Sequence, residues 1–136
     1  MGNPKVLVDA AFLVALWRRN DHNHLWALTA AQSHPPPWIT CESALSEADH
    51  LLAPDGSATL RIACRRGALR IASFPADEFH PVLDLMDRYA DVPMSVADAC
   101  LVRLTEVVPD ARLLTTDSDF NIYRRYRRRV LPTLMP

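Results

Sequence analysis

Lys5-Val6-Leu7-Val8-Asp9-Ala10-Ala11-Phe12-Leu13-Val14-Ala15-Leu16-Trp17-Arg18-Arg19 decides the fold class. Lys5 to Asp9 is a short β-branched run ending in an acid, and Ala10 to Arg19 carries Phe12, Leu13, Leu16 and Trp17 at helical spacing. A strand therefore feeds directly into a helix, with an aspartate at the junction. The alternation continues downstream. Asp21 can cap a helix in which Leu25, Trp26 and Leu28 share a side, ended by Ser33-His34 and the prolines at 35–37. Trp38-Ile39-Thr40 reads as a short strand, and Thr40 as the cap of a helix with Ala44, Leu45, Ala48, Leu51 and Leu52 on one face, closed by Pro54-Asp55-Gly56.

A further helix is expected from about Ser57 to Arg66 with Gly67 as its stop, followed by the strand Leu69-Arg70-Ile71-Ala72 and a helix from about Asp77 to Tyr89. Ser95 then opens a helix carrying Val96, Ala97, Leu101, Val102 and Leu104; residues 111–116 form a buried strand ending at Asp117, and Val130-Leu131 is a last strand candidate. Parallel neighbours need a crossover, which a helix supplies, so short strands alternating with helices predict an α/β fold with a parallel sheet. In such sheets sites form at the carboxyl ends of the strands, where both Asp9 and Asp117 fall.

With 136 residues, 49% of them hydrophobic, the chain reads as one globular domain spanning 1–136. A formal charge of -1 excludes nucleic-acid binding by overall basicity, so any such contact needs a local patch. Cys41, Cys64 and Cys100 lie far apart and fit no metal-binding spacing, which points to reduced thiols and a cytoplasmic setting. Asp9 interrupts the apolar N-terminal run before it reaches signal-peptide length, and no stretch is long and apolar enough for a membrane span.

Two further acids join the strand-end pair. Glu47 has Ala44 and Leu51 at i-3 and i+4, and Asp98 has Leu101 and Val102 at i+3 and i+4, so both are expected to lean toward the core. Four carboxylates in one cleft raise one another's pKa values, a cost that a divalent cation removes. Magnesium or manganese suits an all-oxygen donor set and a phosphate substrate. Each acid also has a structural alternative. Asp9 can be a turn residue, and Asp98 stands three residues after Ser95 as in a capping box. Either Asp117 or Asp119 can cap the segment Phe120 to Tyr126; Asp119 fits the cap better, leaving Asp117 for the site. Asp21-His22-Asn23-His24 reads as a cap followed by polar surface, since imidazoles at i and i+2 diverge on a helix.

Taken in order, Val6 to Leu16 with Asp9, Thr40 to Leu52 with Ser46-Glu47, Ser95-Val96-Ala97-Asp98-Ala99-Cys100-Leu101, and Leu113-Leu114-Thr115-Thr116-Asp117-Ser118-Asp119-Phe120 resemble the PIN-domain family over nearly the whole chain. The likeness is greatest to the toxin subunits of VapBC-type toxin–antitoxin modules. It implies a five-stranded parallel sheet flanked by helices, magnesium- or manganese-dependent endoribonuclease activity, homodimerisation and inhibition by a cognate antitoxin. Carried over, the family's acids fall on Asp9, Glu47, Asp98 and Asp117, with Asp119 secondary. The chain departs from the family in having Ala10-Ala11 where a small hydroxyl residue or glycine is usual; Thr115 and Thr116 keep hydroxyls near the expected site.

The run Arg124-Arg125-Tyr126-Arg127-Arg128-Arg129 sets an aromatic among guanidinium groups, suited to phosphate contact and base stacking or else to a solvated face. Arg124, Arg125 and Arg127 are the candidate RNA contacts, and Arg61, Arg65 and Arg66 can extend the patch or meet a partner. Two other functions fit the same acids: a PIN-like module that binds RNA or protein without cutting, and a metal-dependent hydrolase of small phosphoesters.

Overall fold

β1 (Val6–Val8) is buried along its whole length and passes through Asp9 into α1 (Ala10–Trp17), whose Phe12, Leu13, Val14, Ala15 and Leu16 are all buried. The computed structural model describes residues 5–136. After α2 (His24–Ser33), β2 (Trp38–Cys41) leads into α3 (Glu42–Leu52), α4 (Ser57–Arg65) and β3 (Leu69–Ala72). A short 3-10 turn (Ala76–Glu78) precedes α5 (His80–Arg88), then α6 (Val96–Val107) and β4 (Arg112–Leu114). A second 3-10 turn (Ser118–Asn121), the two-stranded hairpin β5 (Arg124–Arg125) and β6 (Arg129–Val130), and β7 (Thr133–Leu134) complete the order.

Five strands form one sheet in the order β3-β2-β1-β4-β7, parallel throughout, with Leu7 paired to Ile39 on one side and Leu113 on the other. Pleat alternation divides β1 and β4 between two cores. Leu7 and Leu113 join α5 and α6 on one face, while Val6, Val8 and Leu114 join α1 and α2 on the other. Phe12, fully buried, meets Trp38 and Trp26 edge-on at centroid distances of 5.6 and 6.2 Å. Each large side chain buried in this way contributes about 1.5–3 kcal/mol of transfer free energy. Strand order reverses between β1 and β4, so the sheet's topological switch point lies beside the end of β1.

Several boundaries differ from the sequence expectation. Thr40 is not a helix cap; it is a fully buried strand residue of β2, and Cys41 precedes α3 instead. The sheet hydrogen bonds of β2 outweigh the hydroxyl's preference for capping. Asp21 accepts from Asn23 N at 2.8 Å in a turn, and α2 begins only at His24. Leu25 and Leu28 are exposed; α2 buries Ala27 and Ala30, because only small residues let it approach α1 closely. Within Asp77 to Tyr89 the helix starts at His80, with Pro81 in its first turn. The fifth strand of the sheet is Thr133–Leu134, while Val130 pairs in the hairpin.

Gly67 ends α4 at φ 76°, and a Cβ there would meet nothing within 4 Å. Gly67→Ala therefore isolates the backbone cost of the left-handed conformation, and urea unfolding should show a loss of about 1 kcal/mol.

Candidate active site

The junction of β1 and α1 places the first acid of the cleft through two simple requirements. The strand must end, and the helix's first amides need an acceptor. Asp9 meets both: its backbone is extended and its Oδ1 accepts from Phe12 N at 2.8 Å. Its other oxygen accepts from the Thr115 hydroxyl, at the end of the neighbouring strand β4. Thr115 Oγ1 in turn accepts from Asp117 N at 2.9 Å, so one buried hydroxyl ties the two strand-end acids into a single unit. This supplies from the end of β4 the hydroxyl support that Ala10-Ala11 cannot give from α1.

Asp9 is 4% exposed, and its carboxyl is pushed up to about 7, first by burial; the Thr115 and Phe12 hydrogen bonds oppose this, and Asp117 and Asp98 add to it. Asp98, in the first turn of α6, is half-buried, and its N–H bonds the Ser95 hydroxyl at 3.0 Å. The capping arrangement and a place in the site are therefore compatible in one residue: the cap uses the Asp98 amide and leaves its carboxylate to the cleft. Burial again raises the Asp98 carboxyl most, against a hydrogen bond from Tyr123. Asp117 Oδ1 accepts from Asp119 N at 2.9 Å, so Asp117, and not Asp119, caps the turn that follows β4. Proximity in the chain decides this, because an aspartate reaches the amide two residues on.

Glu47 departs from expectation in another way. It is exposed, since α3 buries Ala44, Ala48 and Leu52 and turns Glu47 to the rim. Its carboxyl is raised by partial burial, then by Asp98 and Asp117. Asp9, Glu47, Asp98 and Asp117 together line one cleft of about 30 Å³, floored by Ala10, Ala11, Ala44, Ala97 and Leu101. The alanines leave space at the meeting point of α1, α3 and α6 that larger side chains would fill. Among the described residues no three His, Cys, Asp or Glu side chains form a ready-made metal-ligand cluster. The donor chemistry fits a hard divalent cation nonetheless: all four groups are carboxylates, and three of them have raised pKa values that a cation would lower.

One residue that the sequence reading did not single out belongs here. Tyr123 is fully buried and donates its hydroxyl to Asp98 Oδ2 at 2.9 Å, while its ring meets Tyr89 and Phe120 edge-on. The Phe120/Tyr123 spacing gives only a core signal, and nothing local reveals a partner 25 residues away.

The arginine run is placed differently from the acids. Arg124 gives its guanidinium to the carbonyls of Asn121, Ile122 and Tyr123, and Arg125 gives its own to Thr105 O. Tyr126 and Arg127 turn the hairpin with φ of 49° and 69°, and Tyr126 N donates to Glu106 at 2.6 Å. Glu106 is eight residues beyond Asp98 on α6, about 12 Å along the helix axis. Arg127, Arg128 and Arg129 are exposed there. His24 Nδ1 lies 2.8 Å from Ala15 O, a helix-tying contact rather than half of a metal pair. No helix of the described residues is long and apolar enough to cross a membrane.

No protein-family model matches this sequence, and no curated protein does. Among solved structures, VapC20 of Mycobacterium tuberculosis, described as a sarcin–ricin loop cleaving toxin, aligns with a TM-score of 0.73 at 22% identity, over 87% of this chain and 94% of that one. The parallel order β3-β2-β1-β4-β7, with its helices and its acids at the switch point, is therefore a VapC-like PIN fold.

Proposed function

We propose that this chain is a magnesium- or manganese-dependent endoribonuclease, the toxin of a VapBC-type toxin–antitoxin pair, working in the cytoplasm as a homodimer restrained by its antitoxin. The observation that carries the reading is the convergence of Asp9, Glu47, Asp98 and Asp117 from four separate elements on one cleft at the sheet's switch point. Such an arrangement concentrates negative charge where a folded chain gains nothing from it, so its rationale is a ligand of opposite charge. The VapC20 likeness supports the fold on which the site stands, and that protein's described action makes a structured RNA loop the first substrate to try.

Asp9, Asp98 and Asp117 would hold the cation. Each has a fixed donor behind it, respectively Thr115 with Phe12 N, Tyr123, and Asp119 N. A cation bound there would supply positive charge to offset that of the phosphate and to ease ionisation of the attacking water. Glu47, at the exposed rim and with raised proton affinity, orients the attacking water and takes its proton as the oxygen closes on phosphorus and the P–O bond to the bridging ester oxygen breaks, that oxygen taking up a proton from solvent. Arg127, Arg128 and Arg129 carry the phosphate contacts, because Arg124 and Arg125 are engaged with backbone carbonyls.

The test is cleavage of a sarcin–ricin-type hairpin and a mixed structured RNA pool by purified protein with magnesium, manganese or excess chelator. Metal-restored cutting supports the reading. RNA binding without cutting in either metal overturns it in favour of a non-cleaving module, and turnover of a small phosphoester alone would do so in favour of a phosphoesterase. Two narrower results are expected. Tyr123→Phe, which keeps the ring but removes the Asp98 hydrogen bond, should weaken manganese binding by about ten-fold in calorimetric titration. Reversing charge at Arg127, Arg128 and Arg129 should weaken RNA binding by about ten-fold at low salt and flatten its salt dependence, with cleavage of a dinucleotide unaffected.

A further inference from the structure

Cys41 and Cys100 come from elements 59 residues apart in sequence and line the same cleft of about 240 Å³, beside Ser43, Phe74 and Phe79. Both are free and nearly buried, 2% and 4% exposed. The Cys41 sulfur lies 3.4 Å from the Ser43 hydroxyl, and its thiol donates toward the Ala97 carbonyl of α6 at 3.8 Å, one helical turn before Cys100. Cys41 also stands at the N-cap of the 11-residue α3; its side chain makes no cap hydrogen bond, and the helix dipole alone favours a thiolate there. Cys64, half-buried on α4, has neither a second thiol nor a helix start.

The structure assigns to Cys41 and Cys100 a paired-thiol oxidation site, open through their shared cleft to a small peroxide and closing to an intramolecular disulfide between the start of α3 and α6. In chemical terms, the Cys41 thiolate attacks one oxygen of hydrogen peroxide and the O–O bond breaks. One oxygen stays as the sulfenic acid, and the other leaves as hydroxide and is protonated to water. The Cys100 sulfur then attacks the Cys41 sulfur. The S–S bond forms, the S–O bond breaks, and hydroxide leaves with the Cys100 proton as a second water. Two thiols are oxidised by two electrons and one peroxide is reduced. Hydrogen bonding, from Cys100 first and Ser43 after it, holds the Cys41 thiol down to about 6 against burial, which pushes it up, and so supports Cys41 as the attacking sulfur. Because α3 carries Glu47 and α6 carries Asp98, the bridge would also fix the spacing of those two acids; this consequence rests on the proposed metal site, whereas the oxidation does not.

The experiment uses Cys64→Ala protein, treated with stoichiometric hydrogen peroxide and denatured, with thiols counted by maleimide and intact mass read without reductant. The expected result is loss of both remaining thiols in a monomer lighter by two hydrogens, restored by dithiothreitol. The single-thiol variants Cys41→Ser and Cys100→Ser, each in the Cys64→Ala background, should form no bridge within the chain. Two thiols still titrating after treatment, or a bridge only between chains, would overturn the assignment. Manganese titration of the reduced and bridged forms then separates the second claim. Reduced protein that binds manganese about ten-fold more tightly than bridged protein supports coupling to Glu47 and Asp98; equal affinities overturn the coupling alone. Absence of binding in both forms overturns the metal-site reading and the coupling with it, and leaves the thiol count to decide the oxidation site.

Discussion

Asp9→Asn is expected to reduce single-turnover RNA cleavage by on the order of 10³-fold while leaving the protein folded. The two halves of that expectation have separate causes. Asparagine is as good an N-cap as aspartate, so its oxygen can still accept from Phe12 N and α1 keeps its start. The Thr115 hydroxyl can rotate to meet either end of the amide. What disappears is the negative charge of the most buried acid of the cleft, where it would be worth most to a cation. Cleavage within about ten-fold of wild type in the folded variant would remove Asp9 from the catalytic set. A variant that fails to fold would be recognised by circular dichroism, and Asp98→Asn would then carry the test, since Asp98 is only half-buried.

The second large effect concerns stability and pH in the presence of chelator. Burial raises the Asp9 carboxyl from 3.8 to about 7 in the folded chain. An acid with a raised folded pKa binds its proton more tightly in the folded state than in the unfolded one. Its stabilising contribution is therefore complete below 3.8 and is lost as pH rises to about 7. At about 1.4 kcal/mol per unit, the loss across that window is roughly 4 kcal/mol. Asp98 and Glu47, both shifted upward, act in the same direction. Urea unfolding should thus show chelated protein less stable at pH 8 than at pH 5, with Asp9→Asn flattening most of the slope. Manganese should recover the loss at pH 8 by binding the ionised carboxylates only in the folded state. A chelated protein whose unfolding free energy is level between those two pH values would show that the acids lie in a wetter cleft than the burial of Asp9 implies.

Parallel α/β architecture was legible because it depends on local patterns. Val6-Leu7-Val8 before Asp9, and Leu113-Leu114 before Thr115, are apolar runs too short for helices, and each is joined to a segment of helical period. Strand ends close to acids then placed Asp9 and Asp117 at one edge of the sheet before any register was known. The pattern was less reliable where a residue served two interests. Thr40 reads equally as cap or strand, and its buried position in β2 settled the matter through neighbours on β3 that are remote in sequence. In the sequence Glu47 borders an apolar stripe that includes Leu51, yet Leu51 is 42% exposed and the buried side of α3 is Ala44, Ala48 and Leu52.

The sequence by itself determined the strand–helix alternation and singled out four acids that share one cleft, since both follow from spacing along the chain. Only the tertiary structure decided what stands behind each acid and which carbonyls Arg124 and Arg125 meet. The Thr115 hydroxyl reaches Asp9 from 106 residues away, Tyr123 reaches Asp98 across 25, and Arg125 is drawn to the Thr105 carbonyl at a distance of 20. Those partners are chosen by strand order and helix packing. A hydrogen bond is fixed by distance and angle in space, and sequence separation carries no record of either.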